Sequence, residues 1–263
     1  MPEPLSRAER TAVRSLRQRK HRETERRFLA EGVRVVEDLL ATGIVLELAL
    51  VSPTLEDTPR GRDLALALGA RTQLRSVTEA ELRDLADTET SQGVLVVARM
   101  PEERLPATPP GAAALVLALD GVQDPGNFGT LVRSAEAFGA VAVIALPGTV
   151  DAWNPKAVRA AAGASFRVPI ARHSAAQLAE WARREEFAIW GAAADGESIA
   201  GLVAPRRTVL VIGNEGAGLS AAVAPHLRRR VAIPIRGRAE SLNAAMAGAV
   251  LLYLLSVESA AHD

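Results

Sequence analysis

The chain has 263 residues, of which 48% are hydrophobic, and its 31 basic and 31 acidic side chains give no net charge. That length and apolar content suit one or two globular domains with a sizeable core. The absence of cysteine excludes disulfides, thiolate metal sites and cysteine nucleophiles. No apolar run reaches the ~18 residues of a membrane span, and the first residues lack the apolar segment of a signal peptide, so a cytoplasmic protein without membrane contact is expected.

The neutral total conceals a basic segment near the N-terminus, residues 5–27, which we name the basic arm. Between its first and last arginine lie seven further basic residues and three acidic ones. Such a concentration of cations indicates contact with nucleic acid, for which the candidates are Arg14, Arg17, Arg19 and Arg22. The alternative explanation is a solvated helix face, because surface helices commonly present charged residues to water.

The N-terminal part of the chain alternates between helix and strand patterns, which predicts a small α/β domain. Ser6 with Glu9, and Thr78 with Glu81, have the spacing of a capping box and predict two helix starts. The stretch FLAEGVRVVEDLLATG (28–43) is interpreted as one helix that ends at its final glycine. A further helix is expected at 62–68, and strands are expected at 44–52, 71–77 and 93–99.

A proline-rich stretch at 104–111 is typical of a semi-rigid linker. It divides the chain into an N-terminal domain, residues 1–103, and a second domain, residues 112–263. The strands expected in the second domain are 114–119, 141–146, 166–170, 187–192, 208–212 and 231–235. The helices expected there are 127–138, 155–162, 175–185, 217–226 and 240–257. This alternation predicts a mainly parallel sheet covered by helices.

The stretch LALDGVQDPGNFGTLVRSAEAFGA (117–140) carries the strongest local pattern: a strand, a turn rich in glycine and proline, and a helix. Its apolar residues repeat at helical spacing, which leaves a polar edge that includes Asn127 and Arg133. The turn follows the carboxyl end of a predicted strand, where α/β proteins bind their ligands. A functional site is therefore expected here; a simple solvated arginine is the alternative for Arg133.

Two later stretches follow predicted strands in the same way. VLVIGNEGAGLS (209–220) places three glycines and Glu215 after a strand, which indicates either close approach of a ligand to the backbone or an ordinary tight turn. In VAIPIRGRAESLNAAM (231–246), Ser241 is placed to cap the last helix, and Asn243 is predicted to lie inside the first turn of that helix. The last helix is apolar all round, which predicts burial in the core or against a second subunit.

These three stretches, in this order, resemble the motifs of the SpoU–TrmH family of RNA ribose methyltransferases, within the SPOUT superfamily. Three ordered matches between residues 117 and 255 are far more specific than one glycine-rich loop. In the N-terminal part, FLAEGVRVVEDLL (28–40) is similar to the start of the family's substrate-binding domain, which itself resembles a ribosomal RNA-binding protein fold. The resemblance implies an α/β methyltransferase domain preceded by a smaller α/β RNA-binding domain.

The resemblance also implies S-adenosylmethionine as the cofactor and assigns the site residues. The residues that match the family's cofactor pocket, in loops that this family threads into a trefoil knot, are Gly213, Ile233 and Leu242. The polar motif residues, which are expected to be catalytic, are Asn127, Arg133, Glu215 and Asn243. The family further implies a homodimer and an RNA substrate, ribosomal RNA first and transfer RNA second.

The chemistry of these side chains constrains their roles. A guanidinium stays protonated in proteins, so Arg133 is expected to hold the phosphate beside the reacting ribose and to favour ionisation of the hydroxyl, not to accept its proton. Glu215 is then the only motif residue with base chemistry. Because the methyl donor carries a good leaving group, alignment of hydroxyl and methyl accounts for much of the expected acceleration.

No metal site is expected, because the four histidines lie outside the three motifs and share no ligand spacing: His21, His173, His226 and His262. Two other classes of protein compete with the methyltransferase. A non-catalytic RNA-binding protein of the same fold would lack polar motif residues, and all four are present. A different enzyme that binds a dinucleotide would need a GxGxxG pattern after its first strand, which the sequence lacks.

Overall fold

The computed structural model describes residues 2–88, 91–109, 111–238 and 241–260, with side chains described up to residue 256. The elements before residue 100 are β1 (Glu3–Pro4), α1 (Arg7–Ser15), α2 (Arg19–Glu25), β2 (Arg27–Glu31), α3 (Val33–Leu40), β3 (Leu46–Val51), α4 (Pro59–Gly69), β4 (Gln73–Ser76), α5 (Glu79–Leu85) and β5 (Val94–Arg99). The later elements are β6 (Ala114–Asp120), α6 (Pro125–Ala137), β7 (Ala142–Ala145), α7 (Pro155–Ala161), β8 (Ile170–Arg172), α8 (Ala175–Arg184), β9 (Ala188–Ser198), β10 (Arg207–Gly213), β11 (Arg229–Ala232) and α9 (Ala244–Ala260).

The N-terminal unit comprises Met1–Glu102 together with Trp153–Phe166. Its mixed sheet has the strand order β1-β4-β3-β5-β2, in which β5 runs antiparallel to both neighbours. The segment Trp153–Phe166 contains α7, which packs on β2, and the ring of Trp153 lies 4.5 Å from the ring of Phe28. An aromatic contact between residues so far apart in sequence leaves no periodic signal, so the pattern of the chain does not predict it.

The basic arm is an integral part of this unit. Val13 of α1 and Leu16, directly after that helix, belong to one apolar cluster with Leu82 of α5 and Leu95 of β5. Burial of such side chains stabilises a fold by roughly 1.5–3 kcal/mol each. The arm is therefore held by its apolar face, and its charged face is left to the surface.

Both predicted capping boxes are present, at Ser6 with Glu9 before α1 and at Thr78 with Glu81 before α5. The prediction of one helix over 28–43 is wrong at its start, because residues 28–31 belong to the buried strand β2 and α3 begins only at Val33. Gly32 separates the two elements with φ at +98°, a conformation that interrupts a helix. A short, fully buried strand and a helix segment give the same apolar run in a sequence.

The C-terminal unit comprises Glu103–Ala152 and Arg167–Asp263. Its six strands form one sheet in the order β11-β9-β10-β6-β7-β8, and every neighbouring pair is parallel. All seven residues of the central strand β6 are buried, as expected for a parallel strand covered on both faces. The predicted α/β class with a mainly parallel sheet is confirmed.

Three predicted elements of this unit differ from the structure. The helix expected at 217–226 does not form, because the residues at its expected start belong to a loop that bonds to itself and to β6, and only Ala224–His226 make a single 3-10 turn. The strand expected at 166–170 begins later, at Ile170, because Ala164–Phe166 form another 3-10 turn. The strand expected at 231–235 is β11, which ends at Ala232.

The last helix packs closely against α6 on one side. A Cβ atom added at Gly248 would lie 2.3 Å from Cδ2 of Leu131, so glycine permits this approach of the two helices. The other buried residues on α9 are Ala245, Leu251, Leu252 and Leu255. The predicted start of this helix at residue 240 lies outside the described residues. Neither α9 nor any other helix of the described ranges is long and apolar enough to cross a membrane.

The described part of the proline-rich stretch is tied to the C-terminal unit. The carboxylate of Glu103, directly before it, accepts a hydrogen bond from Nη2 of Arg172 at 2.8 Å. The carbonyl of Pro109 accepts one from Nη2 of Arg207 at 2.6 Å. Within this stretch only Pro110 lies outside the described residues.

Candidate active site

A cavity of about 320 Å³ lies in the C-terminal unit beside β9, β10 and β11. This volume falls within the ~300–1,000 Å³ typical of small-molecule sites. All three residues predicted to contact the cofactor line it, namely Gly213, Ile233 and Leu242. The wall is otherwise mostly small or aliphatic, and Glu215 is the single charged residue among the described lining residues. No cluster of acidic and histidine side chains able to hold a metal ion occurs within the described ranges, which leave out His262.

One wall of the cavity is the glycine loop, residues 213–220, which follows β10. The loop closes on itself through two backbone hydrogen bonds of 2.9 Å between Asn214 and Gly218. A Cβ atom added at Gly213 would lie 2.4 Å from the carbonyl carbon and oxygen of Gly218. The closed loop therefore requires glycine at position 213. The requirement comes from the loop's own backbone and would hold without any ligand in the cavity.

Sequence reasoning did not single out Asn214, whose side chain organises this loop. Its Oδ1 accepts hydrogen bonds from the backbone N–H groups of Gly216 and Ala217 at 3.0 and 2.9 Å. Its Nδ2 donates to the carbonyl of Gly121, which follows β6, at 2.8 Å. An asparagine that bonds the backbone two residues on is turn chemistry, and Asn before Glu-Gly was the available signal.

Three of the four predicted catalytic residues meet in one hydrogen-bonded series, which we name the amide chain. Nδ2 of Asn127, on α6, donates to Oε1 of Glu215 in the glycine loop at 2.9 Å. Nδ2 of Asn243 donates to Oδ1 of Asn127 at 3.1 Å. The residues are separated by up to 116 positions in sequence, so the parallel sheet and its loops bring them together.

The start of α9 fixes the direction of the amide chain. Oδ1 of Asn243 accepts hydrogen bonds from the N–H groups of Ala245 and Met246 at 2.9 and 3.2 Å. Asn243 is thus the cap of α9, and the expectation that Ser241 caps the helix with Asn243 inside it is wrong. With its oxygen at the helix, Asn243 presents Nδ2 to Asn127, whose own Nδ2 must then face Glu215. The carboxylate is held as an acceptor.

Arg133 is not part of the amide chain. It is exposed and makes no hydrogen bond or ion pair with the described residues. It follows Asn127 by six residues on α6, which places it about 240° further around the helix. The structure therefore leaves its donors unused within the described chain.

Three of the four arginines predicted to contact RNA are exposed, but the fold already engages them. Arg14 forms an ion pair with Asp84, and Nε of Arg19 lies 2.9 Å from Oε1 of Glu23. Nη1 of Arg17 donates to the backbone carbonyl of Asp84 at 3.3 Å. Exposed pairs of this kind are worth only about 0–1 kcal/mol, so they open at little cost when a phosphate approaches.

The fourth, Arg22, is buried, with 2% of its surface exposed. Its Nη1 donates to the carbonyls of Leu16 and Arg17 at 2.8 Å each, beyond the end of α1. The side chain satisfies backbone acceptors inside the unit, and it has no surface with which to reach RNA in this fold. The prediction that Arg22 contacts RNA is therefore wrong. It rested on the number of basic residues in the arm, which does not distinguish buried from exposed arginines.

The carboxylates that serve the two capping boxes are stabilised in their charged form. Hydrogen bonds from Ser6, through its side chain first and its backbone second, hold the pKa of Glu9 below its usual value. The backbone N–H of Thr78 and then the side chain of Arg10 do the same for the pKa of Glu81. Both groups stabilise the N-terminal unit as anions.

Comparison with known proteins places this geometry in a family. The model of the SpoU rRNA methylase family matches residues 114–253, and the model of the MRM3-like substrate-binding domain matches residues 11–96. The first match covers more than half of the chain and contains the cavity and the amide chain. The chain belongs to the SpoU rRNA methylase family, and the family predicted from its three stretches is confirmed.

Named relatives extend over most of the chain. It is 35% identical to the 23S rRNA (guanosine(2553)-2′-O)-methyltransferase RlmP of Bacillus subtilis, over 92% of this chain and 93% of that protein. It is 31% identical to the 23S rRNA (uridine(2479)-2′-O)-methyltransferase of Streptomyces viridochromogenes, over 86% of this chain and 81% of that protein. The likeness therefore includes both units.

Solved structures show the same fold. The SpoU methyltransferase AviRb of Streptomyces viridochromogenes, in complex with the cofactor AdoMet, superposes with a TM-score of 0.86 at 29% identity, over 96% of this chain and 98% of that one. An AdoMet-bound rRNA methyltransferase of Sinorhizobium meliloti gives 0.83 at 30% identity, over 99% and 97% of the two chains. AdoMet is S-adenosylmethionine, the cofactor that the sequence predicts.

Proposed function

We propose that this protein transfers a methyl group from S-adenosylmethionine to a ribose 2′-hydroxyl of ribosomal RNA. The observation that carries the proposal is the position of Glu215: it ends the amide chain and also lines the cavity that contains Gly213, Ile233 and Leu242. The residue with base chemistry therefore lies in the wall of a cavity of the size that a small cofactor needs. A non-catalytic protein would have no need to hold this carboxylate in a fixed direction.

The cavity fits the cofactor. Its alanine- and glycine-rich wall offers a flat apolar surface to an adenine ring, and the glycine loop brings backbone groups close to the ligand. Gly213, Ile233 and Leu242 would hold it, chiefly through backbone atoms. When bound, the cofactor would supply an electrophilic methyl group on a sulfonium, whose leaving group is a neutral thioether.

The remaining work is done by the side chains of the chain itself. Arg133, with its donors unused, binds the phosphate next to the reacting ribose and favours the ionised hydroxyl. Glu215, fixed by Asn127, accepts the hydroxyl proton directly or through a water. Asn127 and Asn243 hold Glu215 in the direction in which it accepts. Alignment of the hydroxyl with the methyl group supplies much of the rate.

Cofactor binding is tested by calorimetry with S-adenosylmethionine after exhaustive chelation. The parent protein is expected to bind without metal, and Gly213→Val is expected not to bind, because the added side chain collides with the backbone of Gly218. Loss of binding by the parent in EDTA would contradict the metal-free site.

The activity is tested by incubating the protein with labelled S-adenosylmethionine and total RNA and mapping the labelled nucleotide. Label on a 2′-oxygen of ribosomal RNA is expected, as the names of the relatives suggest. Label only in transfer RNA would correct the substrate, and binding of both ligands without transfer would favour the non-catalytic alternative. A cytoplasmic location is part of the same proposal, and cofractionation with ribosomal particles checks it.

We further propose that the protein is a homodimer assembled on α9. Three residues of this helix at helical spacing are exposed, Met246 at 62%, Val250 at 41% and Tyr253 at 52%. An exposed apolar stripe of this kind is typical of a subunit interface. Light scattering at low micromolar concentration is expected to report a dimer, and Met246→Glu is expected to weaken it. A parent protein that is monomeric and active would refute the proposal.

A trefoil knot in the C-terminal unit is likewise proposed, on the resemblance alone. The loops that contain Gly213, Ile233 and Leu242 line the cavity, and these are the loops that the family threads. Single-molecule stretching of the denatured chain tests it: a knot shortens the fully extended length by the residues it traps, and a full-length extension would exclude it.

A further inference from the structure

The buried carboxylate of Asp120 is a group that the proposed mechanism does not use. Asp120 is the last residue of β6 and is 4% exposed. Its Oδ2 accepts a hydrogen bond of 2.6 Å from the backbone N–H of Ser220, the last residue of the glycine loop. It has no ion pair with another described residue. Burial of a carboxyl group is costly unless the group is hydrogen-bonded, so this bond is structurally important.

The place of Asp120 in the sheet shows what that bond stabilises. Asp120 lies opposite Gly213, the first residue of the glycine loop, in the parallel pairing of β6 with β10. The next residue, Gly121, accepts the hydrogen bond from Asn214 at the start of the loop. Ser220 at the far end bonds Asp120 itself. Two consecutive residues at the carboxyl end of β6, Asp120 and Gly121, thus hold both ends of the loop that carries Glu215 and lines the cavity.

We propose that Asp120 is a positioning residue for the methyl donor, and that it acts by accepting the Ser220 N–H bond that keeps the glycine loop closed. The proposal rests on the proposed function of the cavity as the S-adenosylmethionine site. It assigns to Asp120 a hydrogen bond and not a contact with the ligand, since Asp120 is absent from the described lining of the cavity.

The test compares Asp120→Ala with Asp120→Asn by calorimetry with S-adenosylmethionine. A hydrogen bond to a charged group is worth enough for the Ala variant to bind roughly tenfold to a hundredfold more weakly. The Asn variant keeps an oxygen that accepts the same bond and is expected to recover most of the affinity. The matched control is Asp195→Ala, which removes an exposed carboxylate paired with Arg230 in the same unit and is expected to bind normally.

A second readout separates positioning from general loss of structure. The amide proton of Ser220 is expected to exchange slowly with solvent in the parent and in the Asn variant, and quickly in the Ala variant, while amides of β6 stay protected in all three. Equal affinity of the Ala variant and the parent overturns the proposal, as does an Asn variant as weak as Ala, which would assign the effect to charge. A parent that binds no S-adenosylmethionine would instead overturn the proposed function.

Discussion

The basic arm and the amide chain use polar side chains in opposite ways. In the arm, three arginines each meet a carboxylate of the same unit, so much of their charge is neutralised within the fold. In the C-terminal unit, Asn243 bonds Asn127 and Asn127 bonds Glu215, while Arg133 is exposed and its donors are unused within the described chain. The difference shows that the density of cations in a sequence does not by itself locate a binding surface. What matters is which groups the fold leaves unpaired.

The largest expected effect is on methyl transfer, and it follows from substitution of Arg133. Arg133→Ala is expected to lose roughly two or more decades of methyl transfer, the cost of removing one preorganised donor to developing charge. Affinity for S-adenosylmethionine should stay within a few fold of the parent, because Arg133 is absent from the described lining of the cavity. Single-turnover transfer and calorimetry measure the two quantities. Arg183→Ala, on the exposed face of α8, is the matched control and should be neutral in both.

Arg133→Lys sharpens the same point. A lysine keeps the positive charge but cannot bind a phosphate with a planar pair of donors, so it should recover little activity. A Lys variant nearly as active as the parent would show that positive charge alone suffices and that Arg133 makes no bidentate contact with the phosphate.

The direction of the amide chain is tested by Asn243→Asp, with an expected loss of about tenfold to a hundredfold in transfer, comparable to a small misplacement of a catalytic group. Aspartate keeps an oxygen to cap α9 but offers no donor to Asn127, whose amide then turns its oxygen toward Glu215. Asn243→Ala should lose the cap as well, at about 1 kcal/mol of stability. Melting temperature and transfer rate separate the two effects. An Asp variant with full activity would mean that Asn243 serves only as a helix cap.

Local patterns in the sequence were sufficient for much of the fold, whereas the site residues were assigned by resemblance to the family. The capping boxes of α1 and α5 and the strand, turn and helix from β6 to α6 depend on residues close in sequence, and they form as predicted. The pairing of Asn127 with Asn243 depends on distant residues and was not predicted from spacing. The helix expected at 217–226 failed because the glycine loop bonds to itself and to β6 instead.

The remaining errors have the same cause. Arg22 carries the same charge as its neighbours, and only the carbonyls at the end of α1 distinguish it. The segment Trp153–Phe166 joins the N-terminal unit through its aromatic contact with Phe28, far away in sequence. Deletion of residues 1–103 would leave that segment without its packing partner, so truncation is a poor test of the basic arm and substitution is a better one.

The arm itself is tested by replacing Arg14, Arg17 and Arg19 together with glutamine. If these side chains bind phosphates, RNA affinity should fall less steeply with salt, by about 0.7 to 0.9 log units per lost contact per tenfold change in salt. The control replaces Arg60, Arg62 and Arg71, three exposed arginines elsewhere in the same unit. Filter binding across a salt series gives both slopes. Equal slopes in the two triple variants would leave the arm as a solvated helix face.

The smallest expected effect is on the stability of the N-terminal unit in acid, to which the carboxylates of the two capping boxes contribute. Glu9 and Glu81 have pKa values below the usual 4.5 in the folded state, so they are charged there when an unfolded chain would already bind protons. Their contribution to stability is therefore complete above pH 4.5 and is lost as the pH falls through the lowered values. Glu81→Gln should lower the melting temperature by at most about a few degrees at pH 7, because Glu81 and Arg10 are only half-buried and water screens their interaction. The difference from the parent should shrink toward pH 3, and a difference that grows on acidification would reverse the sign of the effect and exclude the carboxylate as its source.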